Sequence, residues 1–259
     1  MATALITGGS VGLGRAFARR LARDGWDLVL ASRDQDGLEQ VASDLRSIHG
    51  VAVEVIRSDL SERGDSLRLA ARLEDPDRPV DLLVNNAGFG IHDPLATCSV
   101  ERLARAVEVM DLAPAILAAA AARAMRERGR GGIVNITSSA AVLRTGAYAA
   151  VKAWATVYSQ SLAIELADSG VRVLAVMPGW IETEFHKRAG IQANAFPAAL
   201  KPLVYVPADQ VVDQALEALA KGKTTCVPTK RWAAAVWLAR VIPESLNRKV
   251  SAALTDSRT

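Results

Sequence analysis

The chain of 259 residues is long enough for one large α/β domain, or two small ones, around a sizeable core. Half of its residues are hydrophobic and 23% are charged, and no uncharged run reaches the roughly 18 residues that cross a bilayer, which argues against a membrane-spanning helix. The formal charge of +3 comes from acidic and basic residues interspersed along amphipathic stretches, so a nucleic-acid partner is not expected.

The start, MATALITGGSVGLG, runs straight into an apolar strand without the basic stretch and cleavage site of a secretion signal, and a cytoplasmic location is expected. The strand TALIT is followed by a helix from about Leu13 to Arg23, the strand DLVLAS and a helix through DGLEQVASDLRSIHG. VAVEVI, a polar helix through RLAARLED, and VDLLVNN continue the alternation. One long Ala-rich helix, ERLARAVEVMDLAPAILAAAAARAM, comes next, and the RERGRGG after it reads as a helix stop rather than an RNA-binding Arg-Gly tract. GIVNIT, a helix from about Tyr148 to Asp168, VRVLAVMPG, an irregular stretch, a helix through DQVVDQALEALAKG, and TTCVP complete the order.

Apolar strands separated by helices indicate an α/β fold: a doubly wound Rossmann-type sheet of about seven mostly parallel strands, with helices on both faces. With no repeat, linker or composition shift, one domain is expected over 1–259, with a substrate lid at about 180–206 and a C-terminal extension at about 229–259. The extension, with Trp232 and Trp237 among small apolar residues and basic ends, reads three ways: lying on a membrane surface, packing over the substrate side, or packing against a second subunit. Cys98 and Cys226 are far apart and lack a nearby His at ligand spacing, so no metal site or disulfide framework is indicated.

TGGSVGLG, with glycines at 8, 9, 12 and 14, stands between the first strand and the first helix, where small residues let backbone N–H groups approach a pyrophosphate. Gly8, Ser10, Val11, Gly12, Leu13 and Gly14 are therefore cofactor-binding candidates. The second strand ends in Ser32 and Arg33, where an acid would hold the NAD ribose and an Arg the extra phosphate of NADP. Arg33 points to NADP(H), although Asp34 stands beside it. Two further strand ends carry polar residues on the same sheet edge, Asp59 with Leu60, and NNAG with Asn85, Ala87 and Gly88.

TSSAAVLRTGAYAAVK places Ser138, Ser139, Tyr148 and Lys152 in one short stretch. With TGGSVGLG, SDL, NNAG, IVNITS, YAAVK and PGWIET in this order over nearly the whole chain, the sequence resembles the short-chain dehydrogenase/reductase family. The resemblance implies that Asp59 hydrogen-bonds the adenine, that Asn85 and its neighbours support the cofactor, and that Pro178, Gly179, Ile181 and Thr183 flank the nicotinamide. Catalysis would fall to Ser138, Tyr148 and Lys152, the last two also touching the cofactor.

The chemistry agrees with that assignment. Reducing a carbonyl develops alkoxide charge, which needs a proton donor and further hydrogen bonds at the oxygen. A phenol of pKa about 10 serves poorly unless positive charge lowers it. Lys152, four residues after Tyr148, shares its helix face and can supply that charge. Ser138 would polarise the carbonyl, with Ser139 one step beyond.

Two departures from the family stand out. The Ser138-to-Tyr148 loop is a few residues shorter than usual, and the long helix carries Met110 where many relatives have a water-binding Asn, with Asp111 one position further on. The expected activity is an NADPH-dependent interconversion of a carbonyl and a secondary alcohol on a small molecule. That substrate is expected to be apolar if Phe89, Trp180, Ile181 and Phe185 flank the expected pocket, the alternative being that they belong to the core. The alternative is an NADP(H)-binding sensor with weak or no turnover. A homodimer or homotetramer is expected.

Overall fold

The computed structural model describes residues 1–91, 93, 95–181 and 204–256. Its first half runs β1 (Thr3–Thr7), α1 (Gly12–Arg23), β2 (Asp27–Ser32), α2 (Gln35–His49), β3 (Val53–Arg57), α3 (Arg63–Glu74) and β4 (Leu82–Asn85). Next come α4 (Val100–Val107), a π-helical turn (Glu108–Leu112), α5 (Ala113–Glu127), β5 (Gly131–Ile136), a 3₁₀ turn (Ser139–Val142), α6 (Ala147–Glu165) and β6 (Val171–Val176). The chain ends with β7 (Trp180–Ile181), β8 (Tyr205–Val206), α7 (Ala208–Ala220), β9 (Thr225–Cys226), α8 (Lys230–Val241) and α9 (Glu244–Asp256).

The seven main strands form one parallel sheet in the order β3-β2-β1-β4-β5-β6-β9. The chain winds outward from β1 in one direction and from β4 in the other, so the crevice of a doubly wound sheet opens at the C-terminal ends of β1 and β4. Both faces are covered, which is why the strands read as unbroken apolar runs. Phe17 and Leu21 of α1, Leu38 of α2 and Val212 of α7 pack on one face against Ile6, Leu30 and Val84. Leu69 of α3, Leu117 and Met125 of α5 and Val151 of α6 pack on the other against Leu5, Leu83 and Ile133.

The long Ala-rich helix departs from expectation. It is divided into α4, the π turn and α5, and the cause is local: Pro114 has no N–H to donate to the Met110 carbonyl, so the regular ladder cannot pass through this point and the turn widens. The widened turn carries both Met110 and Asp111 into the interior, 1% and 6% exposed. After α5 the RERGRGG stretch does end the helix, and the Arg128 guanidinium donates to the Val80 carbonyl at 2.6 Å.

Most of the segment expected to be a lid, including Thr183 and Phe185, lies outside the described residues. Among the described residues, no helix is long and apolar enough to cross a membrane. In the C-terminal extension Trp232 turns inward and donates from Nε1 to the Val204 carbonyl at 3.0 Å, while Trp237 is 64% exposed.

Candidate active site

The glycine turn is shaped by close backbone approach. Gly8 adopts a left-handed φ of 69° and its N–H donates to the Ala31 carbonyl at 2.7 Å, tying the end of β1 to β2. A Cβ on Gly14 would stand 2.2 Å from the Gly8 carbonyl oxygen, so only glycine lets α1 start this close to the strand end. Val11 occupies the N-cap of α1 in extended conformation and offers no side-chain acceptor, leaving the first-turn N–H groups without a protein cap. An uncapped helix start behind a glycine cradle fits a dinucleotide pyrophosphate. Leu13 and Leu60 have their side chains in the core, so only their backbone is available to a ligand.

At the end of β2, Ser32 Oγ lies 3.4 Å from Ser10 Oγ, and the Asp34 carboxylate accepts the Gly37 N–H at 3.0 Å as the N-cap of α2. Arg33, mostly exposed, stands 4.0 Å from Asp59, and Arg105 approaches the same carboxylate at 3.6 Å. Partial burial works to raise the Asp59 pKa, but hydrogen bonds from the Ser61 hydroxyl and backbone, with Arg33 and Arg105 nearby, hold it below the usual carboxylate range.

The two asparagines of NNAG divide their work. Asn86 Nδ2 donates to the Thr7 carbonyl at 2.9 Å and lies 3.3 Å from that of Gly8, and the Asn86 and Ala87 N–H groups both reach Thr7 Oγ1. Asn86 and Thr7, which the motifs alone do not single out, are thus the residues that fix the glycine turn. Asn85 points into the sheet, donating to Asn135 Oδ1 at 2.9 Å and to the Pro114 carbonyl, and Asn135 continues the chain to Ser159 of α6. Its side chain braces β4 against β5 and α5 and also lines the small cavity beside Lys152.

Ser138 follows β5 as the N-cap of the 3₁₀ turn, its Oγ accepting the Ala140 N–H at 3.1 Å. One lone pair is used, and the hydroxyl proton is available to an oxygen in the crevice. Ser139 is held through its backbone, its N–H donating to the Pro178 carbonyl at 2.9 Å. Tyr148 and Lys152 lie in the first turns of α6 on one face, as their spacing requires. Lys152 Nζ is 5.8 Å from the centre of the Tyr148 ring and donates to the Ile136 carbonyl at 3.0 Å. A Cβ on Gly88 would stand 3.6 Å from Lys152 Nζ and 3.2 Å from Met110 Sδ, so the NNAG loop closes directly over the lysine.

Burial brings the Lys152 pKa down to about 8 against an opposing pull from Asp111. Burial likewise raises Asp111 to about 7, with Lys152 opposing the rise. Asp111 Oδ1 has no protein hydrogen-bond partner. Beside Lys152 a small cavity of about 10 Å³, lined in part by Met110, Asn135 and Tyr158, is about the size that admits a single water. At the far edge, Pro178 is buried, Gly179 packs against Trp232, and Trp180 meets Tyr205 edge-on with ring centres 5.9 Å apart.

A glycine cradle at the switch point of a doubly wound sheet, joined to a Ser, Tyr and Lys at the ends of β5 and α6, defines a dinucleotide-dependent oxidoreductase. Residues 2–194 match the family model described as short chain dehydrogenase. The chain is 34% identical to a short-chain dehydrogenase from Sphingobium yanoikuyae solved in complex with NADPH, with a TM-score of 0.83 over 99% of this chain and 96% of that one. It is 31% identical to a bulky-bulky ketone specific alcohol dehydrogenase from Comamonas testosteroni, with a TM-score of 0.78 over 95% and 96% of the two chains. It is also 33% identical to a very-long-chain 3-oxoacyl-CoA reductase from Anas platyrhynchos over 72% of this chain, an alignment spanning 62% of that protein's length. The chain belongs to the short-chain dehydrogenase/reductase family and is a nicotinamide-dependent oxidoreductase acting on alcohol or carbonyl groups of small molecules.

Proposed function

We propose that the protein is an NADP(H)-dependent reductase of apolar ketones, working reversibly on the corresponding secondary alcohols, with Tyr148 as general acid/base, Lys152 as its charged neighbour and Ser138 as the hydrogen-bond donor to the substrate oxygen. The observation that supports this reading is Lys152 Nζ standing 5.8 Å from the Tyr148 ring beneath Gly88, with Ser138 at the end of the neighbouring β5 accepting only the Ala140 N–H at its Oγ. When bound, the nicotinamide supplies or accepts the hydride. Ser138 and Tyr148 hold the oxygen that changes charge, Tyr148 gives or takes the proton there, and Lys152 favours the ionised phenol.

The glycine turn, with Ser10 and Val11 at the start of α1, would hold the pyrophosphate, and Asp59, Ala87, Pro178, Gly179 and Ile181 would line the rest of the cofactor, with Thr183 expected to join them from outside the described residues. NADP(H) over NAD(H) is supported by Ser32 and Arg33 at the end of β2, while the neighbouring acid, Asp34, is engaged in capping α2. The NADPH in the S. yanoikuyae relative agrees with that choice. An apolar substrate is supported by Trp180 at the crevice, by the remaining faces of Phe89 and Ile181, which pack partly on the core, and by the ketone specificity named for the C. testosteroni relative. A homo-oligomer is supported by exposed apolar side chains on adjoining helices, Val157 and Ile164 of α6 with Val107 and Leu112 beside them.

The deciding experiment is a panel of aryl and alkyl ketones with NADPH or NADH, followed by loss of the reduced-cofactor absorbance. Turnover of bulky apolar ketones with NADPH is expected. Cofactor binding without turnover across the panel would instead support a sensing role.

A further inference from the structure

The family match ends at residue 194, and the C-terminal helices beyond it reach back to the catalytic loop. α8 and α9 meet at a corner around Pro243, and the N-terminal half of α9, through Asn247 and Ser251, lies beside residues 142–144. The contact is polar and buried. Asn247, 6% exposed, uses both hydrogens of Nδ2, one to the Val142 carbonyl at 3.2 Å and one to the Ala239 carbonyl at 2.9 Å in the last turn of α8. Ser251, 2% exposed, donates from Oγ to Asn247 Oδ1 at 3.1 Å and accepts the Arg144 N–H at 3.0 Å. Two carbonyls at Nδ2 and a hydroxyl at Oδ1 permit only one orientation of the amide.

A segment that merely covered apolar surface would be expected to do so with apolar side chains. Buried hydrogen-bonded side chains instead select one geometry, because any displacement leaves a polar group unpaired. The geometry selected is that of the loop joining Ser138 to Tyr148. Ser138 caps a single 3₁₀ turn, Ser139–Val142, whose own bonds are short in range: Ala140 N–H to Ser138 Oγ, Ala141 N–H to the Ser138 carbonyl, and Leu143 N–H to the Ala140 carbonyl. One isolated turn is marginal by itself. Its near end is tied to Pro178 through Ser139, and its far end is tied to α9.

We propose that Asn247 and Ser251 are positioning residues, which hold the Val142–Arg144 end of the loop and thereby set where Ser138 presents its hydroxyl. The inference rests on the catalytic roles proposed for Ser138 and Tyr148. In this chain the shortened loop is completed by a helix more than a hundred residues downstream, and the C-terminal extension is part of the catalytic apparatus.

The test uses the full chain with Asn247→Asp, Ser251→Ala and Ser251→Thr, assayed with NADPH and an aryl alkyl ketone. Asn247→Asp keeps the shape but removes both donors. With Ser138 misplaced, kcat is expected to fall about tenfold to a hundredfold in Asn247→Asp and Ser251→Ala, and KM and NADPH affinity to stay within about twofold. Ser251→Thr, which keeps the hydroxyl, is expected to retain kcat. Hydrogen exchange of the 139–146 peptide is expected to speed up in the two impaired variants. Faster exchange with unchanged kcat overturns the positioning role, as does a parallel loss of kcat and NADPH binding, which marks general destabilisation. Tyr148→Phe is the control on the underlying roles: if it still turns over the ketone, those roles fail first, whereas a dead Tyr148→Phe beside fully active Asn247 and Ser251 variants overturns the brace alone.

Discussion

Asp111 and Lys152 oppose each other's titration inside the protein, the carboxylate raised to about 7 and the ammonium lowered to about 8 by burial, each partly offset by the other's charge. Activity that depends on a charged Lys152 is therefore expected to decline as pH rises through about 8. In Asp111→Asn the attraction that holds the lysine's proton is gone, so the alkaline limb of kcat should move to lower pH. A pH–rate profile of both proteins checks this, and a limb that stays in place or moves to higher pH contradicts it.

The same pair makes a stability prediction. The folded state binds a proton on Asp111 that the unfolded chain has released, since the folded value of about 7 exceeds the ordinary 3.8. Stability from this group is full below the unfolded value and is lost as pH rises through about 7. Asp111→Asn escapes that loss, so its melting temperature should exceed the original protein's by more above this range than below it. Melting curves on both sides of the range measure the difference.

Tyr148→Phe is expected to cost about a hundredfold to ten-thousandfold in kcat, because the ring still packs while the proton donor is gone. Ser138→Ala should cost about a hundredfold, by removal of one hydrogen bond to the developing charge. Ser139→Ala should cost little, since Ser139 is held by its backbone N–H to Pro178. Cofactor titration should be nearly unchanged in all three. A larger loss from Ser139→Ala than from Ser138→Ala would reverse the roles of the two serines.

Arg33 is mostly exposed and only loosely paired with Asp59, so it is free to meet a phosphate. Arg33→Asp should weaken NADPH binding by about 1.5–3 kcal/mol, the value of a charge-assisted hydrogen bond. NADH binding should change far less. Fluorescence titration with both cofactors decides the matter, and equal affinities in the original protein would remove the basis for NADP(H) selectivity.

Met110 lines the water-sized cavity beside Lys152, and its thioether is a weak acceptor and no donor. If proton supply passes through that cavity, Met110→Asn should raise kcat or lower its solvent isotope effect. Absence of an isotope effect in the original protein, with no response to Met110→Asn, would leave Met110 as helix packing.

Much of this architecture was legible in the chain because it depends on neighbours in sequence. Unbroken apolar strands, the glycine spacing of TGGSVGLG and the placement of Tyr148 four residues before Lys152 are local facts, and periodicity carries them directly into strands, a cradle and one helix face. Asn85 and Asn86 could not be told apart in this way, because β4 is buried on both faces and alternation gives no signal.

What only the tertiary structure decided depends on contacts between distant segments. Met110 or Asp111 was an open choice along the helix, and the π turn at Pro114 brings both inward, with Asp111 as the charge coupled to Lys152. The role of the C-terminal extension was equally open, because its Trp, Asn and Ser residues suit a membrane surface, a subunit contact or a lid. Trp232 against Gly179, and Asn247 and Ser251 against residues 142–144, pack it on the loop that joins Ser138 to Tyr148, contacts that no local pattern announces. A hydrogen bond spanning 105 residues leaves no periodic trace in sequence, since its partners are neighbours only in the assembled fold.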